Sequence, residues 1–524
     1  MSEIYIYDTT LRDGNQARGV SLSLEDKLLI AKRLDDLGVH YIEGGWPNPT
    51  NPVDMNFYPE SRKIKFKNSR IAAFGSTRRA GIKPEDDQGL QSLVETKAPV
   101  QTIFGKSWDL HVTNILRTTL DENLKMIEDS IAFLKKHSEE VIYDAEHFFD
   151  GYKENPEYAL KTIQAAVEGG ADWIILCDTN GGMLPHEVSK IVKDVAGMVD
   201  VKLGMHMHND SGCAEANTLI GVHEGARQIQ GTMNGIGERC GNANLCTLIP
   251  DIELKMEHTC IGKTNLTKLR ETSLYISEIA NIHHDSRQPF VGEAAFSHKG
   301  GAHIDGVLKE KRSFEHIEPD LVGNERTYIL SDQAGGSTIV EKLSTFIPGV
   351  SKTDPAVKNL LGKVKEFESA GYQFEAAEAS FRLLAKRELG LYRAPFDFIG
   401  FRVIEEKKSN NVPYSEATIK VKANGEMEHT AAEGDGPVNA LDNAIRKALS
   451  RFYPELMKIR LIDYKVLVID AKTGTAARVR VLIESTDGQE TWGTVGVSEN
   501  VIEASWLALI DSINYKLMID LEKK

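Results

Sequence analysis

Residues 4–38 read IYIYDTTLRDGNQARGVSLSLEDKLLIAKRLDDLG, which is a short apolar run, a polar loop and then a helical pattern. Runs rich in Ile and Tyr that are bounded by polar residues are typical of buried strands, and apolar residues spaced three and four apart are typical of amphipathic helices. The stretch therefore predicts one strand–helix unit. The fold depends on how often that unit recurs.

The same unit recurs roughly every thirty residues as far as residue 235, as expected for strands alternating with helices. The further strand-like runs are VHYIEGG from Val39, RIAAFGS from Arg70, VQTIFGKS from Val100, VIYDAEH from Val141, WIILCDT from Trp173, KLGMHMHND from Lys202 and IQGTMNG from Ile229. Eight such units predict a closed (β/α)₈ TIM barrel of the α/β class. The alternative is an open doubly wound sheet, which rarely contains eight evenly spaced units.

The remaining sequence does not continue this strand–helix repeat. Helical patterns from Leu266 and from Ala356 predict helical linker subdomains, and strand-like runs resume near Phe396. The C-terminal segment HTAAEGDGPVNALDNAI, from His429, aligns with WGTVGVSENVIEASWLAL, from Trp492, and predicts an α+β domain with an internal repeat. We therefore predict a catalytic barrel, a helical linker or lid and a C-terminal regulatory domain, at 1–280, 281–395 and 396–524.

Composition limits the partners of the chain. The net charge of −15 disfavours a nucleic-acid or anionic membrane surface, because phosphate contacts require an excess of Lys and Arg. Apolar runs of ~18 residues and a signal-like N-terminus are missing from the sequence, which disfavours a membrane span or a secretory leader. The five cysteines form no CxxC pair. We expect a soluble cytoplasmic protein with reduced thiols, bound to neither membrane nor nucleic acid.

In TIM barrels the active site lies at the C-terminal ends of the strands. Those ends are predicted to carry polar residues that the packing of the barrel does not require, namely Asp8, Glu43, Lys106, Glu146, Thr179, His206, His208 and Asn234. We expect the candidate site to be built from this set.

The sharpest local motif is HMHND, which contains His206 and His208. Side chains two residues apart on a strand point to the same face, so both imidazoles can aim at one point. Two imidazoles and a carboxylate suit a divalent ion with open positions. The alternative is a pair of ordinary core or surface histidines, and HxH alone does not separate the two.

The loop after the first strand, DTTLRDGNQ, contains Arg12 and Asp13. In a closed barrel only the eighth strand separates the first from the seventh, so Asp13 could complete a ligand set with the two histidines. Arg12 would add a fixed guanidinium for a carboxylate or a developing oxyanion. Taken alone, an Arg-Asp dipeptide is better explained as an ion pair that caps a loop. The combination with HMHND favours a site.

The loop after the eighth strand, GIGERCGNAN from Gly235, is rich in glycine. Its spacing is GxGxxxG rather than GxGxxG, and it lacks the strand–turn–helix surroundings of a dinucleotide site. The glycines indicate backbone close to a ligand.

These motifs carry a family resemblance. DTTLRDGNQ, HMHND, GERCGNANL and FSHKGGAHIDGVL resemble the acyl-CoA-dependent synthases that include 2-isopropylmalate, homocitrate and citramalate synthases. The segment EGDGPVNALDNAI resembles the allosteric domain of that family, so the resemblance covers essentially the whole chain. YIEGGWPNPTNP and YDAEHFFDGY are most similar to a long-chain class of citramalate synthases.

The resemblance implies a divalent metal cation, with Mn, Mg and Zn all open. It assigns the metal to Asp13, His206 and His208, with Asn242 at or beside it. It also implies roles for the substrate-site residues: Arg12 stabilises the alkoxide, Thr179 holds the keto-acid carboxylate, Glu146 is an acid or base, and His303 assists enolisation or thioester hydrolysis.

Each assignment has a structural alternative. Glu146 could be a barrel ion-pair partner, Thr179 a loop cap and His303 a packed lid residue. The chain also departs from the family pattern: Glu146 is followed by His147 where relatives commonly have Asp, and Phe314 stands where a tyrosine is common.

The reaction implied is a Claisen-type acyl transfer, in which acetyl-CoA, pyruvate and water give citramalate and CoA on the threonine-independent route to isoleucine. Isoleucine as an effector and a homodimer follow from the same resemblance. The alternatives are the same chemistry on 2-ketoisovalerate or 2-oxoglutarate, a metal-dependent acyl-CoA lyase, and the carboxyl-transferase half of a biotin enzyme. A non-enzymatic binding protein is the alternative from another class, and it would not need metal ligands to converge with Arg12 and Glu146.

Overall fold

The computed structural model describes residues 2–523 apart from 348, 408, 410–412, 471–473, 475 and 476. The chain forms two compact units. The first comprises Met1–Phe296 and Ile317–Arg326, and the second comprises Ser297–His316 and Thr327–Lys524. The three-domain division at residues 280 and 395 stays a prediction.

The first unit is a closed barrel of eight parallel strands, all within residues 2–296. The strands are β1 (Tyr5–Asp8), β2 (Tyr41–Glu43), β3 (Arg70–Ser76), β4 (Val100–Lys106), β5 (Glu140–Glu146), β6 (Trp173–Asp178), β7 (Lys202–Met207) and β8 (Gln228–Gly231). Each strand pairs with the next, and β8 closes the barrel on β1 with Tyr5 opposite Gln228. The predicted TIM barrel is confirmed, and the open sheet is excluded.

Helices surround the barrel. They are α1 (Leu24–Leu37), α2 (Pro52–Ser61), α3 (Gln88–Thr96), α4 (Leu120–Leu134), α5 (Phe148–Glu154), α6 (Pro156–Gly169), α7 (Pro185–Ala196), α8 (Ala214–His223), α9 (Leu245–Lys255), α10 (Lys263–Leu266) and α11 (Leu269–Ile279). The first of them shows how the sequence sets their limits. Ser23 and Asp26 form a capping box at its start, and Gly38, at φ 95°, ends it in the left-handed region.

Large side chains of the strands pack together inside the barrel. Tyr7, Tyr41, Ile142, Trp173 and Ile175 belong to one buried cluster there. A filled interior leaves the C-terminal strand ends as the place where polar side chains can meet a ligand.

The second unit begins with a helical part. It contains the short parallel strands β9 (Ser297–His298) and β10 (Thr327–Tyr328), which the sequence did not predict. Its helices are α12 (Gly301–Lys309), α13 (Gly336–Ser344), α14 (Pro355–Ser369) and α15 (Glu378–Glu388). The pattern from Ala356 is therefore divided between two helices, and Gly371, at φ 104°, lies in the break.

Helix α15 contributes to two hydrophobic cores of the second unit. Phe381 and Leu384 pack with the helical part, in a cluster that includes residues of α13 and α14. Ala379 and Leu383 pack with the C-terminal sheets and helices. This one helix therefore joins both parts of the unit.

The described residues from Phe396 onward fold as a duplicated unit. One copy is the antiparallel sheet of β11 (Phe396–Lys407), β12 (Pro413–Ala423) and β13 (Glu426–Gly434) with helix α16 (Pro437–Leu449). The other is the antiparallel sheet of β14 (Arg460–Val468), β15 (Val479–Thr486) and β16 (Thr491–Ser498) with helix α17 (Val501–Glu522). Ala440 and Ala504 occupy equivalent buried positions on the two helices. The predicted internal repeat is confirmed.

Helix α17 is rich in apolar residues, but none of the helices among the described residues is long and apolar enough to cross a membrane. All five cysteines are free thiols, and Cys177, Cys246 and Cys260 are buried.

Candidate active site

A cavity of about 180 Å³ opens at the C-terminal ends of the barrel strands. It is lined by Arg12, Asp13, Gln16, Trp46, Phe74, Phe104, Asp144, Glu146, Cys177, Thr179, His206, His208, Glu238 and Arg239. The cavity lies where barrel geometry predicts a site.

Asp13, His206 and His208 form a buried cluster on one side of this cavity. One ligand atom from each lies within 4.8 Å of the others, and Asp13 Oδ2 is 3.3 Å from His206 Nε2. The barrel brings them together because β8 alone separates β7 from β1. The three predicted ligands are thus placed as a metal-binding set requires.

The tautomer of His206 is set by its neighbour on β8. His206 Nδ1 lies 2.8 Å from Gln230 Oε1, while Gln230 Nε2 donates to Asp144 Oδ1 at 3.2 Å. The carboxyl group of Asp144 thereby orients the amide, and the amide oxygen can only accept a hydrogen bond. Nδ1 therefore carries the hydrogen, and the lone pair of Nε2 faces Asp13, as in histidines that ligate metals.

Asn242 completes the cluster. Its Nδ2 lies 3.2 Å from Asp13 Oδ2 and 3.3 Å from His206 Nε2, while its buried Oδ1 has no hydrogen-bond partner among the described residues. Amide oxygen and nitrogen have the same shape, so a half-turn would direct this oxygen at Asp13 and His206. A carboxylate, two imidazoles and an amide oxygen fit a divalent cation.

The glycine-rich loop makes room for Asn242. A Cβ atom on Gly237 would lie 2.0 Å from Asn242 Oδ1, so a larger residue would displace the amide. The loop glycines permit this close approach, and a dinucleotide site is not needed to explain them.

The guanidinium of Arg12 is fixed on three sides. Its Nε donates to Glu43 Oε1 at 2.6 Å, another nitrogen donates to Asp13, and the group stacks 3.7 Å above the ring of Phe74. Burial lowers the pKa of Arg12, but Asp13 and Glu43 outweigh it and raise that pKa above its usual value. Arg12 is therefore a permanent, oriented positive charge.

The pKa values of the carboxyl groups around Arg12 are shifted in opposite directions. Burial raises the pKa of Asp13, but Arg12 and the two histidines outweigh it, so the pKa is lowered and the group is a carboxylate. Burial raises the pKa of Glu43 despite Arg12, and it raises the pKa of Asp144 well above its usual range, with Glu43 adding to the effect. The site therefore combines one carboxyl group whose pKa is lowered with two whose pKa values are raised.

Burial also acts on His208. Together with the neighbouring His206, it lowers the pKa of His208 to about 3. The ring is therefore neutral at physiological pH, which is the form that can ligate a metal.

Glu146 and Thr179 both line the cavity. Glu146 also forms an ion pair with Lys106, as its structural alternative predicts, and its role as an acid or base stays a prediction. The hydroxyl oxygen of Thr179 accepts a hydrogen bond from His147 N–H at 2.9 Å.

Other predicted residues lie away from the cavity lining. The carboxyl group of Asp8 accepts hydrogen bonds from the backbone and hydroxyl of Thr10, and Asn234 donates to the backbone carbonyl of Ser273. His303 belongs to the second unit, on α12, where its ring stacks on Phe314 with centroids 4.4 Å apart. Its catalytic role stays a prediction.

The sequence interpretation missed an aromatic wall. The ring of Trp46 meets those of Phe74 and Phe104 edge-on, with centroids 5.7 and 5.4 Å apart. A signal was present, because RIAAFGS and VQTIFGKS each contain Phe followed by Gly near their C-terminal end. Asp144 was also missed, although it stands two residues before Glu146 on β5 and so shares its face.

Three family models match consecutive parts of the chain. Residues 3–276 match the HMGL-like family, residues 290–371 match the homocitrate synthase post-HMGL domain-like family, and residues 375–517 match the LeuA allosteric (dimerisation) domain.

Known proteins match over the full length. The chain is 56% identical to an (R)-citramalate synthase of Aquifex aeolicus, covering 99% of both chains. It is 53% identical to an (R)-citramalate synthase of Geobacter sulfurreducens, covering 99% of this chain and 98% of the relative. It is 30% identical to a probable 2-isopropylmalate synthase of Methanopyrus kandleri, covering 98% of each. With its barrel matching throughout and its relatives matching from end to end, the chain belongs to the HMGL-like family of enzymes, in the branch that contains the (R)-citramalate synthases.

Proposed function

We propose that this enzyme condenses acetyl-CoA with pyruvate and water to give (R)-citramalate and CoA. One observation carries the proposal: the buried set of Asp13, His206, His208 and Asn242 meets the fixed guanidinium of Arg12 beside a cavity with an aromatic wall. The full-length similarity to (R)-citramalate synthases supports this chemistry.

The four-residue set would hold a divalent cation. Bound there, the cation supplies Lewis acidity toward the carbonyl of the keto acid. Mixed oxygen and nitrogen donors are compatible with Mg, Mn and Zn, so the donor set leaves the metal open.

The residues of the chain supply the other parts of the reaction. We propose that Glu146 removes a proton from the methyl group of the acetyl thioester, and that the resulting enolate carbon attacks C2 of pyruvate. The carbonyl oxygen then becomes an alkoxide, which the adjacent Arg12 stabilises before it takes up a proton. Water finally cleaves the thioester and releases CoA, a step for which His303 is the candidate base.

Thr179 would bind the other end of the keto acid. Its hydroxyl group lines the cavity and can donate to the substrate carboxylate. Arg12 at one end and Thr179 at the other would set the orientation of pyruvate, which brings the reacting atoms together in one geometry.

The aromatic wall favours a small keto acid. Trp46, Phe74 and Phe104 contact one another and line the cavity. We propose that they border the side chain of the keto acid and leave little space for a branched one. Each methylene group by which two substrates differ is worth about 1–3 kcal/mol of discrimination in an apolar pocket. We therefore propose that pyruvate is preferred over 2-ketoisovalerate, and that 2-ketobutyrate is turned over weakly.

The test is release of free CoA from acetyl-CoA across a panel of pyruvate, 2-ketobutyrate, 2-ketoisovalerate and 2-oxoglutarate. Pyruvate should give the highest kcat/KM, and chirally resolved product should be (R)-citramalate. A higher kcat/KM with 2-ketoisovalerate would reassign the substrate and leave the chemistry in place. CoA release by verified metal-free enzyme at the full rate would contradict the assignment of the metal.

We further propose a homodimer formed through the C-terminal domain. Its edge strands β11 and β14 expose apolar side chains, including Ile399, Ile462 and Val468 at 48%, 53% and 61% of their surface. Exposed apolar edge strands are suited to a partner of the same kind. The match of residues 375–517 to a dimerisation domain supports this assembly.

We also propose that isoleucine, an end product to which citramalate leads, inhibits the enzyme by binding in this domain. Residues 396–523 contain none of the proposed metal ligands, and 375–517 match an allosteric domain. Inhibition from a distant site requires that isoleucine bind two conformational states with different affinity.

A further inference from the structure

The backbone of His147 adopts the left-handed conformation, at φ 57° and ψ 31°, between β5 and α5. L-residues avoid this region because Cβ crowds the following carbonyl oxygen. Asn and His enter it more readily than most residues, whereas a β-branched residue is an outlier there. The surroundings of His147 must therefore hold it in place.

The imidazole ring of His147 adds contacts around this turn. It lies against the ring of His111, with centroids 4.1 Å apart, and the ring of Trp108 lies beside both, 5.7 Å from His147 and 5.3 Å from His111. His147 Nδ1 lies 3.2 Å from Asp150 Oδ2, and that same oxygen accepts a hydrogen bond from Asn180 at 2.9 Å. Through Asp150 on α5, the side chain is therefore connected to the loop after β6.

The left-handed turn directs the N–H group of His147 across to Thr179 Oγ1, at 2.9 Å. A hydroxyl oxygen that accepts one bond keeps its own hydrogen for a second bond. The backbone of Thr179 is held as well, because its carbonyl oxygen accepts from Arg239 at 2.7 Å. With oxygen and backbone both fixed, the hydroxyl hydrogen is left to point into the cavity that Thr179 lines.

We propose that His147 is a positioning residue for the keto acid: its left-handed backbone aims the Thr179 hydroxyl at the substrate carboxylate. This inference rests on the proposed role of Thr179 in the condensation. It makes the backbone conformation at position 147, and not imidazole chemistry, the property that matters. Replacements should therefore be ranked by their tolerance of positive φ.

The experiment compares His147→Asn with His147→Val, using Thr179→Ala as the reference. Loss of one neutral hydrogen bond corresponds to roughly a fivefold to tenfold change. His147→Val should therefore raise the KM for pyruvate by about that factor with kcat little changed, as Thr179→Ala should. His147→Asn should stay within about twofold of the parent enzyme because it tolerates the same φ. In the Thr179→Ala background, His147→Val should have no further effect.

Thermal unfolding and metal content of the variants must match those of the parent enzyme. His147→Ala replaces His147→Val if the Val variant does not fold.

Crystal structures of the variants give a readout independent of turnover. The contact between N–H 147 and Oγ1 of Thr179 should persist with Asn and be lost with Val. The proposal is overturned if Asn and Val raise the KM equally, if the Val effect multiplies that of Thr179→Ala, or if the contact survives in the Val variant. A parent enzyme that releases no CoA with pyruvate overturns the proposed function, and the structures still decide the geometry.

Discussion

Gln230 accepts the Nδ1 hydrogen of His206 at 2.8 Å, on the side of the ring away from Asp13. The bond leaves the Nε2 lone pair directed at the predicted ligand cluster. Gln230 would thus strengthen the binding of a metal without being one of its ligands. Residues that hydrogen-bond to a metal-ligating histidine orient its ring and increase its basicity.

Replacing Gln230 should weaken metal binding while leaving every predicted ligand in place. We expect Gln230→Met to lower the affinity for a divalent cation by about 10- to 100-fold, as measured by titration of chelated enzyme. Gln228→Met is the matched control, since Gln228 is also buried on β8 and bonds to Gln230 but not to His206. Equal losses in both variants would contradict a specific role for the His206 contact.

Arg12→Lys should abolish most of the activity although the charge is kept. Lysine cannot donate to Glu43 and Asp13 at once and stack flat on Phe74, so the positive group would lose its orientation. We expect kcat to fall by about 10²- to 10³-fold, as is usual when an oxyanion donor is removed. Arg18→Lys, in the same loop but exposed, is the control. A fall in kcat of less than about threefold would contradict a direct contact between Arg12 and the reacting atoms.

Asp8 should make stability depend on pH. Burial raises its pKa from 3.8 to about 7, so the folded state holds a proton that the unfolded state releases near pH 4. Stability is therefore lost as pH rises from about 4 to 7 and is constant above that, with a limit of about 4 kcal/mol for such a shift. Asp8→Asn removes this dependence. The difference in Tm between Asp8→Asn and the parent should rise with pH over this window, while the exposed Asp36→Asn should show no such trend.

The dimer should depend on the apolar edge strand β14. Val468→Glu places a charge on a side chain that is 61% exposed in the single chain, which would be buried in the proposed interface. We expect the dissociation constant to rise at least roughly tenfold in sedimentation velocity. Met457→Glu is the control, because Met457 is equally apolar and 68% exposed but lies outside the edge strands. A dimer of unchanged strength would place the interface elsewhere.

Isoleucine should inhibit the intact enzyme and lose its effect when the dimer is weakened. Effector sites often lie where subunits meet, so Val468→Glu should reduce inhibition while leaving metal content unchanged. Inhibition curves of CoA release, with leucine as the control amino acid, would check this. Inhibition that is unchanged in a monomeric, active variant would locate the effector site away from the interface.

The barrel could be predicted because each strand carries its own signal and the unit recurs along the chain. The same holds for Asp13, in the loop after β1, and for His206 and His208, at the end of β7, because the strand order brings these two places together. Asn242 and Thr179 were assigned through the family motifs.

Other features depend on contacts that no local pattern records. Whether Gln230 meets His206 depends on the register of β7 against β8, and the aromatic wall depends on the path of the loop that carries Trp46. The left-handed turn at His147 lies at a residue that shows no turn signal, and tertiary contacts override the local preference there.

Helix α15 belongs to two hydrophobic cores, and this affects how the second unit unfolds. Truncation of the chain at Pro395 would keep α15 but remove the C-terminal residues that pack on Ala379 and Leu383. Truncation before α15 would remove Phe381 and Leu384 from the core of the helical part. Neither part can melt without exposing apolar surface of its neighbour, which couples their unfolding free energies. Heating should therefore produce one calorimetric transition for the whole of this unit, in which the helical part and the C-terminal sheets unfold together.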